Sequence, residues 1–189
     1  MDYLYDGPAK SKHVFLFAHG AGAPMTHAFM NTVAGGMGER GIRVVRFNFP
    51  YMNVGRKVPD KQEVLLDAWR QAIADHGGGK KVHIGGKSMG GRMASMVADE
   101  LKVRGLICFG YPFHPPGKPE KTRTAHLEKL RTPALIIQGT RDTFGTPDDV
   151  AGYTLSESIR IEWIENGDHS LKGGVPRAIE LAAMFNIGH

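Results

Sequence analysis

The stretch Gly85-Gly86-Lys87-Ser88-Met89-Gly90-Gly91, GGKSMGG, decides how the rest of the chain is read. It admits two readings with different chemistry. Lys87-Ser88 imitates the end of a phosphate-binding loop, which requires Gly, four residues, then Gly-Lys-Ser/Thr. Counting back puts that first glycine at Lys81, so the pattern fails. The residues in between also read as a strand, which leaves no loop to wrap a phosphate. The second reading is Gly86-x-Ser88-x-Gly90, a serine on a tight strand-to-helix turn. Side chains two positions either side of such a serine would collide across the turn, and here both are glycine.

Working outward, apolar runs fall at residues 14–18, 42–47, 82–84, 103–109 and 134–138. Their continuous apolar character predicts strands buried on both faces, as in a parallel sheet. A sixth run, 159–164, alternates Ile159, Ile161 and Trp163 with Arg160 and Glu162, which predicts a strand nearer an edge. Helical spacing lies between the runs. Phe29, Val33 and Met37 form one apolar face, and Leu65, Ala68, Trp69, Ala72 and Ile73 form another. Met89, Met93, Met96 and Val97 make a third, and the last helix starts near Pro176. Strand and helix alternate along the chain. That order predicts an α/β fold: a mostly parallel open sheet of about six strands with helices on both faces. Ligands of such sheets bind beyond the carboxyl ends of the strands.

A serine hydroxyl needs a base, and the base needs an orienting acid. In this kind of fold they follow in the order Ser, Asp or Glu, His. Asp142 in QGTRD follows the strand ending near Gln138, and His169 in GDHS follows the strand ending near Ile164. Ser88, Asp142 and His169 are therefore the expected catalytic residues. Asp148 and Asp149 compete for the acid role but read as helix-start residues. Asp168 adjoins His169 too closely to pair with it. The oxyanion hole is expected to use the backbone amides of Met89 and Ala21, the latter in the glycine loop Gly20–Gly22.

Composition bounds the alternatives. The chain has 189 residues, 41% of them hydrophobic, which fits one domain over 1–189. Net charge is +5, but the basic residues are dispersed and not interleaved with aromatics, so no nucleic-acid partner is expected. No apolar run reaches membrane-span length and no signal peptide is read at the N-terminus. One cysteine, Cys108, allows no internal disulfide, and a cytoplasmic location is expected. The histidines show no metal-ligand spacing, so neither metal nor cofactor is expected.

The segments HGAGAPM, RFNFPYM, GGKSMGGRMAS, GYPFHPPGKP, QGTRDTFG and GDHS resemble those of α/β-hydrolases, and most those of the small lidless group related to dienelactone hydrolases. They span nearly the whole chain. The resemblance implies the fold, a catalytic triad and hydrolysis of a small-molecule ester. Dienelactone hydrolases use a cysteine nucleophile, whereas this chain has serine. Relatives of the group include a chromatin-complex subunit, so the resemblance also implies a second reading, a binding or assembly scaffold. A peptidase with the same triad is the third.

The segment between Gly110 and Leu130, where larger members insert a lid, is short and carries four prolines, so no cap domain is expected. Met25, Phe49, Tyr51, Tyr111, Phe113 and Phe144 follow the strands and are expected to line an apolar substrate pocket. Arg56, Lys87 and Arg92 are cations within reach of it. The expected reaction is cleavage of small carboxylic esters or thioesters through an acyl-enzyme.

Overall fold

A computed structural model describes all 189 residues. The strands are β1 (Tyr3–Asp6), β2 (Val14–Ala18), β3 (Arg43–Phe47), β4 (His83–Lys87), β5 (Gly105–Phe109), β6 (Ala134–Gly139) and β7 (Ile159–Ile164). They form one sheet in the order β1-β3-β2-β4-β5-β6-β7. Every neighbouring pair is parallel except β1 with β3. The helices are α1 (Ala28–Gly38), α2 (Pro50–Asn53), α3 (Gln62–Asp75), α4 (Met89–Val97), α5 (Pro147–Ala151) and α6 (Val175–Gly188).

The sheet has seven strands rather than about six. The additional one, β1, is four residues long and half-buried, too short for its alternation to stand out. A tertiary contact holds it in place: Arg46 on β3 pairs with Asp6 on β1 at 2.9 Å. The alternating run at 159–164 is the opposite edge, β7.

The helices cover both faces. On one, α3 and α4 bury Leu65, Trp69 and Met93 against Leu16, Val45 and Ile84. Trp69 meets Phe47 edge-on, with ring centroids 4.9 Å apart. On the other, α1 and α6 bury Met30, Val33, Ile179 and Ala182 against Phe15, Phe17 and Ile107. Strands with both faces covered must be apolar throughout, which is why five of the runs carry no alternation. Between β5 and β6 the chain forms no α-helix, only a single 3₁₀ turn at Leu127–Lys129. No helix is long and apolar enough to cross a membrane.

The strand order places the candidate site. From β2 the chain moves outward to β3, then returns across β2 to β4 on its other side. The loops leaving β2 and β4 therefore diverge and open a crevice at the carboxyl end of the sheet.

Candidate active site

Ser88 stands between the end of β4 and the start of α4 with φ +50° and ψ −115°. Few non-glycine residues adopt such a backbone, and those that do cluster at functional sites. The turn is fastened from both sides: the Ser88 amide donates to the Phe109 carbonyl, and the Arg92 amide donates to the Ser88 carbonyl, each at 3.0 Å. The glycines are required by contact. A Cβ on Gly86 would sit 2.5 Å from the Ala18 carbonyl oxygen, and one on Gly90 would sit 2.6 Å from the same atom.

The structure brings His169 and Asp142 to this serine. His169 Nε2 lies 2.9 Å from Ser88 Oγ, and His169 Nδ1 lies 2.8 Å from Asp142 Oδ2. A carboxylate at Nδ1 takes that nitrogen's proton as a hydrogen bond. Nε2 is then the lone-pair nitrogen, facing the hydroxyl. Asp142 is fully buried. Its Oδ1 accepts from the Phe144 amide at 2.9 Å, and its Oδ2 also accepts from Gln138 Nε2 at 2.9 Å. The Phe144 ring stacks on the His169 imidazole at 4.2 Å between centroids.

The other acids have separate work. Asp149 forms a reciprocal capping box with Thr146 at the start of α5. Asp168 Oδ1 accepts from the Ser170 and Lys172 amides, which shapes the turn carrying His169. These bonds, that from Lys172 foremost, hold the Asp168 carboxyl below its ordinary pKa.

Ala21 borders Ser88, and its amide donates to no protein acceptor. The Met89 amide opens α4, where first-turn amides lack an intrahelical acceptor. The β2 loop is fixed by His19, fully buried beneath it. Its Nδ1 donates to the Gly20 carbonyl at 2.7 Å and its Nε2 accepts from the Phe49 amide at 3.1 Å. That pairing is the neutral tautomer, and burial pushes the His19 pKa down.

Residues 11–181 match the family model of the alpha/beta hydrolase domain. The chain belongs to that family. Among solved structures, it is similar to an α/β serine hydrolase homologue from Coxiella burnetii. Identity is 20%, coverage is 97% of this chain and 90% of the other, and the TM-score is 0.77. An α/β serine hydrolase without lid from Xanthomonas campestris is also 20% identical, with 99% and 88% covered and a TM-score of 0.76. A dienelactone hydrolase from Anabaena variabilis is again 20% identical, with 99% and 91% covered and a TM-score of 0.77.

Two cavities meet at Ser88 of this α/β hydrolase. One, of about 320 Å³, contains His169, Phe29, Met30, Ala23 and Lys87. The other, of about 380 Å³, contains Met89, Leu65, Arg92, Arg123 and Pro112. Phe144 borders both. The remaining expected pocket residues do not line either. Phe49, Tyr51, Tyr111 and Phe113 are fully buried. Phe49 and Tyr51 pack edge-on against His19, and Tyr111 packs on Phe113 at 4.9 Å, so they support the loops from beneath. Met25 faces neither cavity; its amide donates to Asn48 Oδ1, which ties its loop to the end of β3.

Sequence reasoning missed Gln138, whose contact with Asp142 nothing in an apolar strand announces. It also missed Phe29 and Met30, whose helical spacing reads as core alone. Cys108 lies in β5 beneath the elbow, fully buried, and burial drives its thiol pKa up.

Proposed function

We propose that this α/β hydrolase is a serine hydrolase that cleaves small carboxylic esters or thioesters through an acyl-enzyme, without a cofactor. The observation that carries the reading is the hydrogen-bonded chain Ser88–His169–Asp142 at a strained elbow. His169 Nε2 accepts the Ser88 proton as Oγ attacks the carbonyl carbon. The Asp142 carboxylate holds the ring in the required tautomer and stabilises the imidazolium that forms. The carbonyl oxygen gains negative charge and is received by the Met89 and Ala21 amides. When the tetrahedral species collapses, the bond to the leaving oxygen or sulfur breaks and that atom takes the proton from His169. Water then attacks the acyl-enzyme by the same route, releasing the acid and free Ser88.

The test needs no knowledge of the natural substrate. A fluorophosphonate probe reacts selectively with an activated serine. Labelling of the wild type, with none in Ser88→Ala, is expected. Absence of labelling in folded wild-type protein would refute the nucleophile assignment.

A further inference from the structure

The cavity on the Met89 side of Ser88 is lined by two arginines, Arg92 and Arg123, and by one acid, Asp60. Arg92 lies one turn into α4, and Arg123 lies in the β5–β6 connection; neither forms an ion pair. Arg92 contacts Gln62 Oε1 through one terminal nitrogen at 3.2 Å, while its Nε is buried without a partner. The Arg123 guanidinium has no hydrogen-bond partner in the protein. Burial first, and then the neighbouring Arg92 charge, lower the Arg123 pKa. Asp60 is the only carboxylate at this cavity; Arg56 engages its Oδ1, and its Oδ2 is buried without a hydrogen-bond partner.

The arginines sit on a constructed support. The Arg123 amide donates to the Phe113 carbonyl at 2.7 Å, and the Arg123 carbonyl accepts from the Tyr111 hydroxyl at 3.2 Å. Ser95 Oγ donates to the Arg92 carbonyl at 2.7 Å. That leaves Ser95 Oγ to accept from His126 Nε2 at 2.8 Å. The Ser95–His126–Tyr111 network, with Ser95 and Tyr111 buried and His126 half-buried, thus fixes both arginine backbones. Two cations lining one cavity with a single carboxylate, itself engaged by Arg56, leave an excess of positive charge that a bound anion relieves.

The site's chemistry says which half of an ester enters here. The leaving oxygen must reach His169, which borders the other cavity and not this one. The carbonyl oxygen points at Met89 and Ala21. The acyl chain is left to run along the Met89 side, toward the arginines. We propose that Arg92 and Arg123 form an acyl-side subsite for esters or thioesters whose acyl half ends in a carboxylate. This rests on the assignment of Ser88 as nucleophile. The reaction is water plus the half-ester giving the alcohol and a dicarboxylic acid. Forked guanidinium donors match the two carboxylate oxygens.

Two measurements separate the subsite from the serine chemistry. The first compares kcat/KM for the para-nitrophenyl half-ester of glutaric acid with that for neutral para-nitrophenyl pentanoate. The wild type is expected to favour the charged ester by about tenfold at low salt, and Arg123→Gln to remove that preference, with Arg123→Lys restoring part of it. A wild-type ratio at or below one, or a ratio unmoved in Arg123→Gln, overturns the proposal. The second titrates Ser88→Ala with monomethyl glutarate by calorimetry, in the presence and absence of Arg123→Gln. Binding lost with Arg123 supports the subsite even if neither ester is hydrolysed, an outcome that would sink the nucleophile assignment alone. No binding to Ser88→Ala, or binding indifferent to Arg123, overturns the subsite whatever Ser88 does.

Discussion

Gln138 Nε2 donates to Asp142 Oδ2, the same oxygen that faces His169 Nδ1. Gln138 is fully buried, and its Oε1 accepts from the Tyr111 amide at 2.7 Å. One side chain therefore links the acid of the candidate site to the loop that begins at the end of β5. Gln138→Met keeps the volume but removes the donor to Asp142 and the acceptor for Tyr111. We expect kcat to fall about tenfold with KM little changed, and stability to drop by about 1–3 kcal/mol from the orphaned amide. Steady-state kinetics and urea denaturation read the two effects separately. A change in KM alone would show that Gln138 does not act through Asp142.

Asp142→Asn tests the acid itself. An amide at this position presents a donor or a neutral acceptor to His169 and permits the wrong tautomer. Loss of about 10³–10⁴ in kcat is expected. Asp149→Asn should leave kcat near wild type and cost roughly 1 kcal/mol of stability, since Asp149 closes the α5 cap and meets His114 Nε2 at 3.3 Å but touches neither Ser88 nor His169. The reverse ranking of the two variants would move the acid role to Asp149.

Ser88→Gly should abolish turnover yet stabilise the protein. The φ of +50° at Ser88 stores roughly 1–3 kcal/mol of backbone strain, which glycine does not feel. Glycine's extra flexibility in the unfolded chain opposes this by roughly 0.5–1 kcal/mol. A net gain of about 1 kcal/mol over Ser88→Ala is expected from denaturant midpoints. Equal stability of the two variants would mean that the elbow is not strained.

Part of this architecture is legible from local sequence. The elbow needs only neighbours in the chain: two glycines, a strand before and a helix after. The meeting of Asp142 and His169 with Ser88 is legible because the fold gathers the loops after its strands at one edge, and each of the two follows an apolar run. Aromatic residues follow strands too, but the same rule misplaces them. Phe49, Tyr51, Tyr111 and Phe113 turn under their loops into the core, because a ring there buries apolar area that the pocket would leave wet. Strand β1 depends on Arg46, forty residues beyond Asp6, so no local pattern carries it. Gln138 lies only four residues before Asp142, but the bond that fixes its side chain comes from the Tyr111 amide, 27 residues back, and a lone glutamine at the end of an apolar strand does not announce it. The pairing of Arg92 with Arg123 across the cavity is tertiary in the same sense.

Lys87, the residue before Ser88, gives a pH-dependent test of packing. Its Nζ is buried without a hydrogen-bond partner, 5.8 Å from the centre of the Phe29 ring. Burial lowers its pKa from 10.5 to about 8, against the attraction of Asp142 and Asp168. Below pH 8 the amine is charged in both the folded and the unfolded chain, and the folded protein bears the full desolvation cost. Between pH 8 and 10.5 the folded amine loses its proton while the unfolded one keeps it. The unfolded state then binds more protons, so this group makes stability rise with pH across that window. The buried hydroxyl of Tyr111 acts in the opposite sense above pH 10, because burial raises its pKa. Subtracting the Lys87→Met profile from the wild-type profile cancels that tyrosine. Lys87→Met is expected to be more stable than wild type by about 3 kcal/mol at pH 7, with the gap closing toward pH 10.5. Guanidine denaturation at several pH values measures it. A gap that stays constant with pH would show that the Lys87 amine is solvated and that its contribution is packing alone.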